Sequence, residues 1–156
     1  MKKIIPLFLA LLLLSGCSAE RLTPVINEDL KLSAIYKTGD FSFSCEIEKK
    51  GNEIKFTPTS TKAKGLIIIC NGKELIFKRK NFSKSFKVDE IDKTNPALIL
   101  YQVFSSLESA EVNLIDDKFC YKGNCSLGKY ILMQNKDNSF HSLEIPMAEI
   151  SITFEN

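Results

Sequence analysis

The 156-residue chain carries a single histidine, His141, and only two arginines, Arg21 and Arg79, among its 21 basic residues. One imidazole cannot build a multi-histidine metal centre, and no paired C-x-x-C spacing offers a thiolate alternative. No serine stands in a G-x-S-x-G elbow, and none of the seven glycines belongs to a phosphate-cradling loop. Adjacent Asp116 and Asp117 read as a turn after a strand and not as a working carboxylate pair. The apolar run Pro6–Leu14 is too short to span a bilayer as a helix. Nothing here calls for a metal, a cofactor or catalytic residues, and a non-enzymatic protein is expected.

What is present begins at the N-terminus. Lys2 and Lys3 precede the apolar run, which ends in Leu14-Ser15-Gly16-Cys17. A positive n-region, a short apolar h-region and a small-residue cleavage site make an export leader. With cysteine after the cleavage site, the segment resembles the lipobox of bacterial lipoproteins. That resemblance implies a diacylglyceryl group on Cys17, which becomes the mature N-terminus. The expected organisation is a signal peptide over 1–16, a lipidated N-terminus and tether over 17–27, and one domain over 28–156. Each buried CH₂ contributes about 0.8 kcal/mol, so two or three acyl chains hold the protein firmly. Its expected location is extracytoplasmic, lipid-anchored to the cell membrane, or to the outer membrane in an organism that has one. Loss of Lys2 and Lys3 leaves 19 basic residues against 19 acidic ones, which gives no support for a nucleic-acid partner.

Four cysteines follow Cys17: Cys45, Cys70, Cys120 and Cys125. An even number in an exported chain argues for two disulfides, with three connectivities open. Tyr121-Lys122-Gly123-Asn124 reads as a hairpin loop that would set Cys120 opposite Cys125, leaving Cys45 to bridge to Cys70.

Most of the mature chain reads as strands. Phe41, Phe43, Cys45 and Ile47 alternate strictly with Ser42, Ser44, Glu46 and Glu48, and Ile54 and Phe56 continue the period beyond the Gly51-Asn52 turn. Leu66–Cys70 is apolar on both faces and predicts a strand covered from two sides. Asn71-Gly72 is a hairpin turn leading to Leu75-Ile76-Phe77. Lys78-Arg79-Lys80 reads as a solvated strand end. Asn95 as cap and Pro96 at the first helical position open a helix with the stripe Leu100, Val103, Phe104 and Leu107. Asn27-Glu28-Asp29 suggests a second, shorter helix reaching Tyr36. Strands resume over 111–115, 118–122, 129–134, 140–145 and 149–154, with His141 on the apolar face beside Leu143 and Ile145. The order strands, helix, strands predicts an α+β fold with an antiparallel sheet wrapped around one main helix.

The run Lys64-Gly65-Leu66-Ile67-Ile68, the Asn71-Gly72 hairpin and the amphipathic helix resemble those of small clostridial-type lipoproteins. So do Gly128-Lys129-Tyr130-Ile131-Leu132 and Leu143-Glu144-Ile145-Pro146. These proteins look like distant relatives of the LolA/LolB lipoprotein-carrier fold, and the likeness covers most of residues 39–155. It implies a sheet curved into an incomplete β-barrel, plugged by helix on its concave side, and brings no catalytic residues. The four mature cysteines depart from that pattern.

Eleven phenylalanines and a doubly apolar strand fit a tight core or an apolar pocket. The expected function is a membrane-anchored, non-enzymatic lipoprotein holding a lipid, acyl chain or other apolar ligand in the concave sheet. Phe41, Phe43, Ile54, Phe56, Leu66, Ile68, Leu100, Phe104 and Leu107 are the candidate lining. The alternative is an interaction module with a filled core, meeting an envelope protein through Thr57–Lys64 and Lys78–Ser85.

Overall fold

The computed structural model describes residues 24–155. Cys17, the leader over 1–16 and residues 17–23 of the expected tether lie outside the described residues.

Six strands come first: β1 (Asp29–Thr38), β2 (Phe41–Lys50), β3 (Glu53–Pro58), β4 (Ile67–Cys70), β5 (Glu74–Arg79) and β6 (Phe82–Lys87). Helix α1 (Pro96–Ser106) follows. Five more strands return: β7 (Glu111–Ile115), β8 (Lys118–Cys125), β9 (Gly128–Asn135), β10 (Phe140–Ile145) and β11 (Ile150–Glu155). All join one antiparallel sheet of 11 strands in the order β6-β5-β4-β3-β2-β1-β11-β10-β9-β8-β7. The chain meanders outward from β1 to one edge, crosses by α1 to the other edge, and meanders back until β11 lies beside β1, with Tyr36 opposite Ile152.

The predicted α+β class and antiparallel sheet around one helix hold. Curvature follows from reach. Strands β4 and β8 both touch α1, yet they are seven places apart in the strand order. In a flat sheet that is about 34 Å at about 4.8 Å per strand. A helix of 11 residues is only about 16 Å long and about 10–12 Å across. The sheet must curl around it, and it stays open because β6 and β7 pair on one side only.

Period-2 alternation decides which residues face the helix. Ala34 and Tyr36, Cys45 and Ile47, Ile54 and Phe56, and Ile68 and Cys70 are all buried on neighbouring strands and in register. On the far half Tyr130, Leu132 and Leu143 do the same. Each such side chain contributes roughly 1.5–3 kcal/mol by leaving water.

Lys78–Ser85, offered as an exposed edge or loop, spans the end of β5, the turn at Lys80-Asn81 and most of the exposed edge strand β6. Three sequence expectations are corrected. The short helix after Asn27 is instead β1, because Leu30, Leu32, Ala34 and Tyr36 repeat every second residue and bury one face against β2. His141 is exposed, since a register shift between Phe140 and Ser142 turns it away from the buried face of Phe140 and Leu143. The outer face of β4 carries no second layer among the described residues; Ile67 and Ile69 stay half-buried beside Lys78, Lys55 and Ile76.

The disulfides also fall away: Cys45, Cys70, Cys120 and Cys125 are all free thiols. Cys120 and Cys125 share one strand, because the hairpin turns after them at Ser126-Leu127 and not between them. Five residues of strand separate them by about 17 Å, far beyond the roughly 7 Å that a disulfide tolerates between Cα atoms. Cys45 on β2 and Cys70 on β4 have β3 between them, and they meet β3 at Pro58 and Ile54 respectively.

Candidate functional site

The concave face and the helix lying in it form the candidate site. Asn95 starts α1 by accepting hydrogen bonds from the backbone N–H of Ala97 (3.1 Å) and Leu98 (3.4 Å), with Pro96 next to it. The helix is apolar nearly all round: Ala97, Leu98, Ile99, Leu100, Val103 and Phe104 are buried. A helix of that kind must be enclosed on several sides, which the curled sheet provides.

Polar residues pin the helix to both halves of the sheet. Ser106 and Tyr130 share a hydroxyl–hydroxyl hydrogen bond of 2.8 Å, and the Gln102 side-chain oxygen accepts from the Ser126 N–H at 2.9 Å. Tyr101 lies over Gly72, its ring occupying the space a Cβ would need, and Gly72 also holds φ +85°. Gly123 is covered the same way by Tyr130, its partner across β8 and β9. Glycine at these two places lets large rings sit directly on the backbone.

Beside the C-terminal half of α1 a groove of about 580 Å³ opens. Its apolar lining is Ile26, Ile54, Phe104 and Leu107, with Tyr101 alongside; Glu28, Lys49, Asn52 and Glu108 form a polar rim. The Lys49 ammonium donates to the Glu28 carbonyl at 2.9 Å across this rim.

The sequence-predicted lining divides in three. Ile54, Phe56, Ile68, Leu100, Phe104 and Leu107 come together in the interior, each at most 7 % exposed. Phe43 and Leu66 are half-buried at its margin. Phe41 is 57 % exposed, its ring 5.6 Å from that of Phe43, which stacks edge-on to Phe56 at 6.1 Å. Three of the nine, Ile54, Phe104 and Leu107, reach the groove.

Gln134 was not singled out from the sequence. Fully buried, it accepts from the Tyr121 hydroxyl (2.8 Å) and donates to the carbonyls of Val25 and Asn138, both at 3.0 Å. This buried amide ties the segment before β1, which supplies Ile26 to the groove, to the far half of the sheet. Its signal was legible as a lone polar residue continuing the buried face Tyr130, Leu132.

Burial governs the titration of the interior. The Tyr121 hydroxyl is pushed up to about 12 by burial. Tyr36 rises to about 12 by burial and then by the nearby Cys45. Cys45 rises to about 12, chiefly by burial and secondarily by Glu155, and Cys70 is raised by burial as well. Thiols held protonated in this way are poor nucleophiles at neutral pH. Among the described residues no group of three His, Cys, Asp or Glu side chains could hold a metal ion, and no helix is long and apolar enough to cross a membrane.

Residues 1–18 match the family described as the prokaryotic membrane lipoprotein lipid attachment site. Among solved structures, a LolA superfamily protein from Nitrosomonas europaea is similar, at 12 % identity and TM-score 0.40, over 82 % of this chain and 83 % of that one. No curated protein matches the sequence. The lipobox reading therefore stands at the level of the segment: residues 1–18, which include Cys17, carry a prokaryotic lipoprotein lipid attachment site, and this indicates an extracytoplasmic protein anchored to a membrane by lipid.

Proposed function

We propose that the domain is a non-enzymatic half-barrel that binds an acyl chain or another elongated apolar ligand between α1 and the concave sheet, and does so close to the membrane. The groove beside α1 carries this reading. Ile26, Ile54, Phe104 and Leu107 line it between Glu28, Lys49, Asn52 and Glu108, and its volume lies within the roughly 300–1,000 Å³ of small-molecule sites. Position supports it too. Ile26 and Glu28 line the groove and lie in the segment that leads back to Cys17. Pro24 is seven residues from Cys17, a reach of at most about 25 Å, so the groove opens near the bilayer surface. An acyl chain entering there meets Ile54, Phe104 and Leu107 first; deeper entry requires α1, with Leu100, to shift against β3 and β4.

Native mass spectrometry of exported residues 18–156 tests this. Lipid-mass adducts released on denaturation, and reduced by Leu107→Glu at the groove, are expected. A clean protein mass with no uptake of added fatty acid or phospholipid would sink the reading. In that event the alternative, an envelope-protein interaction module, moves ahead. Its favouring observation is the close burial of Phe56, Ile68 and Leu100 against one another in a filled interior.

A further inference from the structure

Outside the groove, the strongest concentration of one charge is at the β5–β6 hairpin. We propose that this hairpin tip, with the loop tied to it, is a second membrane contact that docks on anionic phospholipid headgroups with Phe82 entering the interface.

The patch is assembled by the fold. Lys78, Arg79 and Lys80 end β5 and enter the tight turn at Lys80-Asn81; Lys84 follows on β6. The Arg79 guanidinium donates to the Lys62 carbonyl at 3.2 Å, which holds the loop bearing Lys62 and Lys64 against the hairpin. All six cations are exposed, and among the described residues none of them forms a salt bridge. No acidic residue occurs between Ile54 and Lys73 or between Leu75 and Val88. Glu74, Asp89 and Glu90 belong to the opposite end of the hairpin, where Glu74 pairs with Lys87 and accepts from Ser85.

An apolar anchor stands among these charges. Phe82 is 59 % exposed and directly opposite Arg79. Behind it Phe77 and Phe86 pack edge to face at 5.6 Å, with the Lys84 ammonium 4.6 Å above the Phe86 ring. Cations surrounding an exposed aromatic match a surface with negative headgroups over an apolar interior. Each such cation near an anionic surface strengthens binding about fivefold. Anchoring through Cys17 keeps the patch at high effective concentration beside the bilayer, so even weak contacts become occupied. The hairpin tip and the start of β1 are at opposite ends of the strands, and the stretch from Cys17 to Pro24, at most about 25 Å, lets the sheet lie with its β6 edge down.

The chain contains no tryptophan, so Phe82→Trp installs a unique reporter in the full-length lipidated protein. It is reconstituted into phosphatidylcholine vesicles with or without phosphatidylglycerol, and probed with brominated acyl chains. A blue shift and quenching are expected only with phosphatidylglycerol. Combined Lys78→Glu, Arg79→Glu and Lys80→Glu, or high salt, should abolish both; Lys62→Glu with Lys64→Glu, on another element, should weaken them about tenfold or more. Circular dichroism confirms that each variant is folded. Equal quenching in both vesicle types overturns the proposal, as does equal quenching of Leu114→Trp on the other edge. So does charge-dependent capture of soluble polyphosphate without an indole shift, which would assign the patch to a soluble polyanion. None of these readouts depends on a ligand in the groove.

Discussion

Phe56 on β3 and Phe82 on β6 are the same residue type in one sheet, yet Phe56 is 1 % exposed and Phe82 59 %. Leu100 and Leu114 repeat the contrast, at 0 % and 53 %. The interior around α1 and the free edges β6 and β7 therefore use similar residues for opposite purposes. Place in the strand order makes the difference: β3 has neighbours on both sides and α1 across its face, whereas β6 and β7 end the sheet. The edges differ from each other as well. The five exposed residues of β7 carry one charge, Glu111 opposite Lys122, and lead to Asp116 and the Lys136-paired Asp117, while β6 carries Lys84 and Lys87 and starts beside Lys80. The cationic turn at the start of β6 discourages pairing of that edge with its copy in a second molecule and gives it an affinity for anions.

The interior–edge contrast is sharpest under truncation. Phe56→Ala should lose about 3–5 kcal/mol in urea unfolding, against about 0.5 kcal/mol or less for Phe82→Ala. Comparable losses at the two positions would break the comparison. Gly72→Ala should cost about 2–4 kcal/mol, since φ +85° and the Tyr101 ring both oppose a Cβ. Removing the ring as well, by Tyr101→Ala, should recover part of that loss; strict additivity would show that ring and glycine are not in contact. Gln134→Ala should cost about 1–3 kcal/mol by orphaning the Tyr121 hydroxyl. It should also speed amide exchange near Ile26, through loss of the bond to the Val25 carbonyl.

Alkali should weaken the interior, with no such effect near neutrality. Cys45 moves from an ordinary 9.0 to about 12, and Tyr36 and Tyr121 from 10.0 to about 12. All three are raised acids whose neutral form the fold favours. Their stabilisation is complete below about pH 9 and is lost as pH climbs toward 12. Urea midpoints measured from pH 8 to 11 should fall over that window; a flat profile would contradict the burial of these groups.

Much of this was legible. The alternation from Phe41 to Glu48 and the Asn95-Pro96 helix start each depend on neighbours in sequence and appear where the pattern places them. The hairpin read at Asn71-Gly72 forms too, but turns one residue later, with Asn71 opposite Glu74. The misreadings share a cause. Asn27-Glu28-Asp29 mimics a helix cap, and only pairing with β2 and β11 makes the following residues a strand. Cysteine count suggested disulfides, but a turn displaced to Ser126-Leu127 put Cys120 and Cys125 along one strand. The bulge that exposes His141 leaves no mark on local periodicity. The groove needs Ile26, Ile54 and Phe104 from three distant segments, and the basic patch needs Lys62 beside Arg79.

By itself the sequence determined the lipoprotein attachment site within residues 1–18, the antiparallel strand-rich class and the capped helix α1. These are local codes: a leader read in one stretch, side-chain alternation along a strand, and a capping residue beside its own helix. Only the tertiary structure decided which strands became edges, that all four described cysteines stay free, and where a groove and a basic tip arise. Those outcomes depend on strand order and on the curl of the sheet around α1, which bring together residues that no local pattern relates.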